Sequence, residues 1–248
     1  MQQAENLLLE ALRQVGPKPS DLQEQEDKKK FSESLSAHIA QAFAEELRRR
    51  GMDSTRPSPP GLVGSSGAER RIAGGIGAKK VDVTYATEES GLLLALSIKS
   101  INFIDRKAKN YQKNLTNRRG DLLFEAVTLH RRFPYAVLAG FLFFDEEAAR
   151  DDKAKRLSTF VNAHQGLRLF TNRGAPAGRD EVFERLYIVL HSANPEAPKA
   201  EFFEAGQPER PVTLTKIFDD LVEIVAERNF DMYASKDGRL RRRTLSVG

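Results

Sequence analysis

Cysteine is absent from the 248 residues. That excludes a disulfide framework and a thiolate metal site alike. Histidine is scarce: His38, His130, His164 and His191 are scattered without metal-ligand spacing, which leaves zinc chemistry without ligands. No window is apolar for long enough to cross a bilayer. The start, MQQAENLLLEALRQVG, has neither the basic n-region nor the long apolar run of a signal peptide. The expected setting is a reducing cytoplasm, with no membrane partner. Familiar signatures are missing too. GGIG at 74–77 precedes a strand, not a helix, and lacks the Lys-Ser/Thr ending of a phosphate-binding loop, so it reads as a turn or a close backbone approach. SSG at 65–67 is not a nucleophile elbow, no aromatic pattern of an RNA-recognition sheet is present, and no internal repeat is found.

What remains is ordinary in bulk, with 40% apolar and 30% charged residues and enough chain for a sizeable core. The net charge of +4 is unevenly placed. Between Lys99 and Arg132, nine Lys or Arg face three acids, Asp105, Asp121 and Glu125. Such a patch attracts phosphate backbones and speeds their association. A second cluster, RLRRR at 239–243, reads equally well as a solvated face.

Periodicity predicts a short helix over 5–15 and a polar connector to about residue 30. A longer helix over 31–50 follows, with Leu35, Ile39, Phe43 and Leu47 on one face. Gly51 is its expected stop. The Pro-, Gly- and Ser-rich segment 53–68 is expected as a surface loop. VDVTYA (81–86) and LLLALSIK (92–99) form a hairpin around TEESG. Then come a helix over 116–133, a buried strand YAVLAGFLFF, a helix over 146–163, a strand RLYIVLH, and a helix from Thr213 opened by a threonine cap. The order implies a mixed sheet flanked by helices in an α/β fold. The expected division is a helix and connector over 1–30, a main domain over 31–233, and a basic, flexible tail over 234–248.

The hairpin carries the chemistry. Lysine is seldom buried without a partner, yet Lys99 ends an apolar strand. Opposed residues of an antiparallel pair share a face, so matching Val81, Val83 and Tyr85 to Leu92, Leu94, Leu96 and Ile98 sets the register. Asp82 then lies opposite Ser97 and diagonal to Lys99, a juxtaposition that a one-residue slip would abolish. A cross-strand ion pair would explain it. So would a metal-dependent phosphodiesterase site, in which a carboxylate holds a hard cation and the lysine serves the attacking water and the developing phosphorane charge.

VDVTYATEESGLLLALSIKS resembles the catalytic hairpin of the PD-(D/E)XK nuclease superfamily, and the order of elements over about residues 31–144 is similar to its core. The resemblance implies a restriction-endonuclease-like fold, with Asp82 and Lys99 as catalytic residues and Asp82 as a metal ligand. Val81 replaces the usual proline, and Ser97 stands where the second acid is expected. Some branches carry serine there and supply the carboxylate from a helix. On helical wheels Glu46 falls within the buried stripe of the first long helix. Glu125 is the acid nearest the buried arc of the later one, whose Arg118, Asp121 and Glu125 also fit an ordinary ion-pair ladder. Either glutamate would complete the metal shell, and Ser97 would add at most a hydrogen bond. Lys113, Asn117, Arg118 and Arg119 would hold DNA backbone, and Asn114 or Asn117 would cap the helix. The implied cofactor is Mg²⁺, with Mn²⁺ as substitute. The implied partner is double-stranded DNA, cut by a homodimer in a restriction or phage-defence setting, alongside a cognate methyltransferase or other defence subunit. The alternative is a nuclease-derived module that binds nucleic acid or a protein without cutting. A plain interaction domain with a structural Asp82–Lys99 pair is a third reading.

Overall fold

The computed structural model describes residues 3–61, 70–73 and 78–243. Both glycine-rich motifs, at 65–67 and 74–77, lie outside the described residues. Ten strands and five α-helices are present among those described.

A six-stranded sheet forms the middle layer. It comprises β3 (Val83–Thr87), β4 (Gly91–Ile101), β5 (Val137–Asp145), β6 (Arg185–Ser192), β7 (Lys199–Glu204) and β8 (Pro211–Val212), in that spatial order. The β4/β5 and β5/β6 pairs are parallel and the other three antiparallel. Every residue of β5 is buried, as its continuous apolar run predicts for a strand covered on both faces. One face is covered by α1 (Gln3–Val15), α2 (Gln25–Arg49) and α5 (Leu214–Arg228). There Leu12, Leu35, Ile39, Phe43, Phe218 and Leu221 pack on Val83, Leu94, Leu96, Phe141 and Phe143. The other face is covered by α3 (Leu115–His130) and α4 (Thr159–Leu167), whose Leu122, Ala126, Leu129, Phe160 and Leu167 meet Ala95, Leu138, Leu142 and Leu186. The expectation of a mixed sheet flanked by helices holds.

Several boundaries differ from the sequence reading. The second helix starts at Gln25 because its Gln, Glu and Lys residues favour helix, and Lys30 pairs with Glu26 one turn back at 2.7 Å. The helix expected over 146–163 is a short 3-10 turn, Glu146–Ala149, followed by an irregular run into α4. Asp151 holds that run open by accepting from the amides of Tyr111 (3.0 Å) and Thr159 (2.6 Å). Two short hairpins went unforeseen: β1 (Arg70–Ala73) with β2 (Ala78–Val81), and β9 (Tyr233–Lys236) with β10 (Arg239–Arg242). The second corrects the expectation of a flexible tail as far as residue 243. Asp237 and Gly238 turn with positive φ, and Tyr233 and Leu240 are buried against the core. Gly51 ends α2 at φ +88°, and a Cβ there would lie 2.4 Å from the carbonyl oxygen of Leu240. Only glycine fits both demands.

The hairpin register follows burial: Val83 faces Leu96, Thr84 faces Ala95 and Tyr85 faces Leu94. Two irregularities interrupt it. A bulge between Tyr85 and Ala86 turns Leu92 toward the α3 layer and Leu93 toward the α2 layer. At Asp82 the expected single strand bends, so Val81 and Val83 pack on opposite faces.

Candidate active site

The bend places Asp82 beside the carboxyl end of β4. Its Oδ2 accepts the Ile98 amide at 2.6 Å, a position that a backbone carbonyl holds in an unbroken ladder. Lys99 emerges one residue further on. Its Nζ lies 3.8 Å from Asp82 Oδ2 and 3.3 Å from Glu125 Oε2. Glu125 reaches in from α3 with its side chain only 3% exposed. The Ser97 hydroxyl donates to its other oxygen, Oε1. Four of the expected residues, Asp82, Ser97, Lys99 and Glu125, therefore meet at one point. Burial alone would lower the Lys99 pKa, but the charges of Glu125 and then Asp82 outweigh it and raise the value above that of an ordinary lysine. Lys99 is an ammonium, and two carboxylates against it leave the cluster with an excess of negative charge.

Glu46 is not at this site. It is buried, as its place on the wheel implies, but its Oε1 is bound by Arg50 Nε at 2.7 Å, and Arg50 continues to Asp219 of α5 and to the carbonyl of Gly238. A cation one turn away on the same helix satisfies this carboxylate and holds the end of α2 to α5. The ion-pair ladder on α3 is weak where it was expected, with Arg118 Nη1 and Asp121 Oδ2 separated by 3.5 Å.

A cleft of about 1190 Å³ opens above Asp82 and Lys99. Arg118 and Lys113 line it, as does Asn114, which stands at the start of α3 without a side-chain capping bond. Lys113 pairs with Asp105 at 2.9 Å, whereas the buried Arg118 Nε has no hydrogen-bond partner. Asn117 is exposed, and the Arg119 guanidinium lies beside Gly166 of α4, so neither contributes to the lining. The sequence reading missed the opposite wall: Lys28, Lys29, Ser32 and Ser36 on α2, with Arg106 and Lys107 on the loop after β4. Seven Lys or Arg against Asp82, Asp105, Glu24 and Glu33 make the lining net basic. The signal was present in DKKK, a run that was read as connector.

Among the described residues no group of three or more His, Asp or Glu is placed to hold a metal ion. The two carboxylates of Asp82 and Glu125 nonetheless suit a hard cation such as Mg²⁺, which takes one or two carboxylates and keeps water and phosphate for its other positions. No described helix is long and apolar enough to cross a membrane. Comparison with family models, characterised proteins and solved structures found no match.

Proposed function

We propose that the protein is a metal-dependent nuclease that hydrolyses the phosphodiester backbone of DNA, on the plan of the PD-(D/E)XK superfamily. The observation that carries this reading is the convergence of Glu125 with Asp82 on Lys99, with Ser97 bound to Glu125. The carboxylate missing from position 97 is supplied by α3. A structural ion pair needs one acid for Lys99, and the second carboxylate is what a divalent cation requires.

Asp82 and Glu125 would hold Mg²⁺, which supplies charge for the phosphoryl oxygens and acidifies a bound water. The water oxygen attacks phosphorus while the bond to the leaving ester oxygen breaks. The water proton passes to a carboxylate of the pair, since Lys99 is already protonated, and the leaving oxygen takes a proton from solvent. Lys99 puts its positive charge beside the phosphoryl oxygen on which charge develops. Arg118, with its unpartnered Nε, offers donors to a neighbouring phosphate. The restriction or phage-defence setting, the dimer and the companion methyltransferase rest on the resemblance alone.

The test is cleavage of plasmid and oligonucleotide DNA with Mg²⁺ or Mn²⁺ and an EDTA control, comparing wild type with Asp82→Ala and Lys99→Ala. Metal-dependent cutting that falls at least about 100-fold in both variants is the expected result. A folded wild type that cuts no DNA form would move the reading to a non-cutting module.

A further inference from the structure

The cleft has a shape as well as a charge. Phe103 packs edge-on to Phe31 and Asn102 donates to Ser32 Oγ at 3.1 Å, so the loop after β4 is fastened to the first half of α2. Lys99, three residues back along β4, therefore lies further along the helix, toward Ser36 and Ala40. The cleft runs along α2 from Ala40 to Gln25, a length of ~22 Å. Spread over that length, its volume makes a trough ~10 Å across. The major groove of B-DNA alone is about 12 Å wide, so a duplex with both backbones exceeds the trough, whereas one strand fits it.

The two walls are also joined at one end. The connector between α1 and α2 crosses from the helix to the loop. Asp21 Oδ1 accepts the Ile104 amide at 3.0 Å, and its carbonyl accepts from Lys28 Nζ (2.6 Å) and Arg106 Nε (3.1 Å). Arg106 Nη2 donates to the carbonyl of Leu22 at 2.6 Å. This strap stops the trough on the side away from Asp82. Lys29 and Lys107 line the stretch before it.

We infer that the substrate is a single strand of DNA that enters by a free end. This rests on the proposed nuclease reading and narrows the double-stranded partner expected from the sequence. From Lys99 to the strap is ~18 Å along α2, room for about five nucleotides at the stacked rise of 3.4 Å. Cuts are therefore expected within about five nucleotides of the end.

Binding in EDTA tests the inference without requiring hydrolysis. Fluorescence anisotropy would compare a labelled linear 30-mer, the same 30-mer closed into a circle, and its blunt duplex. The linear strand is expected to bind at least tenfold more tightly than the circle or the duplex. Asp21→Ala, which unties the strap, is expected to raise affinity for the circle while leaving that for the linear strand within about twofold. Equal binding of circle and linear strand by wild type, stronger binding of duplex, or no binding of any form would overturn it. With Mg²⁺ added, products of five nucleotides or fewer are expected from the linear strand; long products overturn the inference. Preferential linear binding without any cutting would sink the hydrolytic reading and leave the strand selectivity standing.

Discussion

At the carboxyl end of β4, two carboxylates share one lysine. At the start of β6, one carboxylate is shared among several donors: Glu184 binds Arg228 Nη1 at 2.6 Å, Arg173 Nη1 at 3.2 Å, His130 Nε2 at 3.2 Å and the Leu138 amide at 2.6 Å. The ingredients are alike and the constructions opposite. Glu184 is fully buried, and its arginines also donate to the carbonyls of Pro134 and Ala136, so the cluster fastens β6 to the ends of α3 and α5. The Lys99 cluster is partly open, with Lys99 and Asp82 side chains 17% and 14% exposed, and it carries more negative charge than its cation cancels. Excess cation buried and tied to backbone makes a structural joint. Excess carboxylate at the floor of a basic cleft makes a place for a metal ion and a phosphate.

The comparison breaks most visibly at Glu184. Glu184→Ala strands two buried arginines and is expected to cost about 3–5 kcal/mol. In a chain of this length that lowers Tm by roughly 10 °C or more in a thermal melt. An unchanged Tm would show that the arginines do not depend on Glu184. Glu125→Gln keeps the shape and the bond from Ser97 but removes a charge. Its cleavage rate should fall about 100-fold, equivalent to about 2.7 kcal/mol of barrier, while Tm moves by less than about 3 °C. Loss of stability with activity retained would reverse the assignment of the two clusters.

Acid and alkali sharpen the contrast. Burial would raise the Glu184 pKa, but the His130 bond and the charges around it prevail and hold it below an ordinary glutamate. Its contribution to stability is present above the ordinary glutamate value and lost as pH falls through the depressed one. Lys99 has the opposite sign: its contribution is complete below the ordinary lysine value and lost as pH rises through the raised one. Urea denaturation across pH should thus find Glu184→Gln flattening the acid limb and Lys99→Met the alkaline limb. Crossed assignments would refute the linkage. The smallest effect belongs to Ser97→Ala. It removes one donor from Glu125, costing about 1 kcal/mol of stability and about tenfold in cleavage. A rescue by Ser97→Thr would identify the hydroxyl as the group that positions Glu125.

The site was legible where short-range rules determine it. Burial set the hairpin register, so Asp82 and Lys99 could be brought together from the sequence, and the wheel of α3 turned Glu125 inward. The same reasoning failed for Glu46, because a wheel gives a face and not a partner, and Arg50 sits one turn away to take it. The strap and the α2 wall of the cleft depend on contacts between Asp21 and residues 104–106, which no local pattern encodes. The edge strand β8 and the β9/β10 hairpin are too short for alternation to stand out, and only their neighbours define them.

Gly51 and Leu240 give the fold an order of assembly. The carbonyl of Arg50 accepts the Leu240 amide at 2.8 Å, and a glycine lets the two segments touch. During synthesis the chain emerges at about 5–20 residues per second, so α2 is made long before the partner that seats its last turn. The helix that walls the cleft waits roughly 10–40 seconds for residue 240. A ribosome that stalls before that point releases a chain whose cleft lacks its final support.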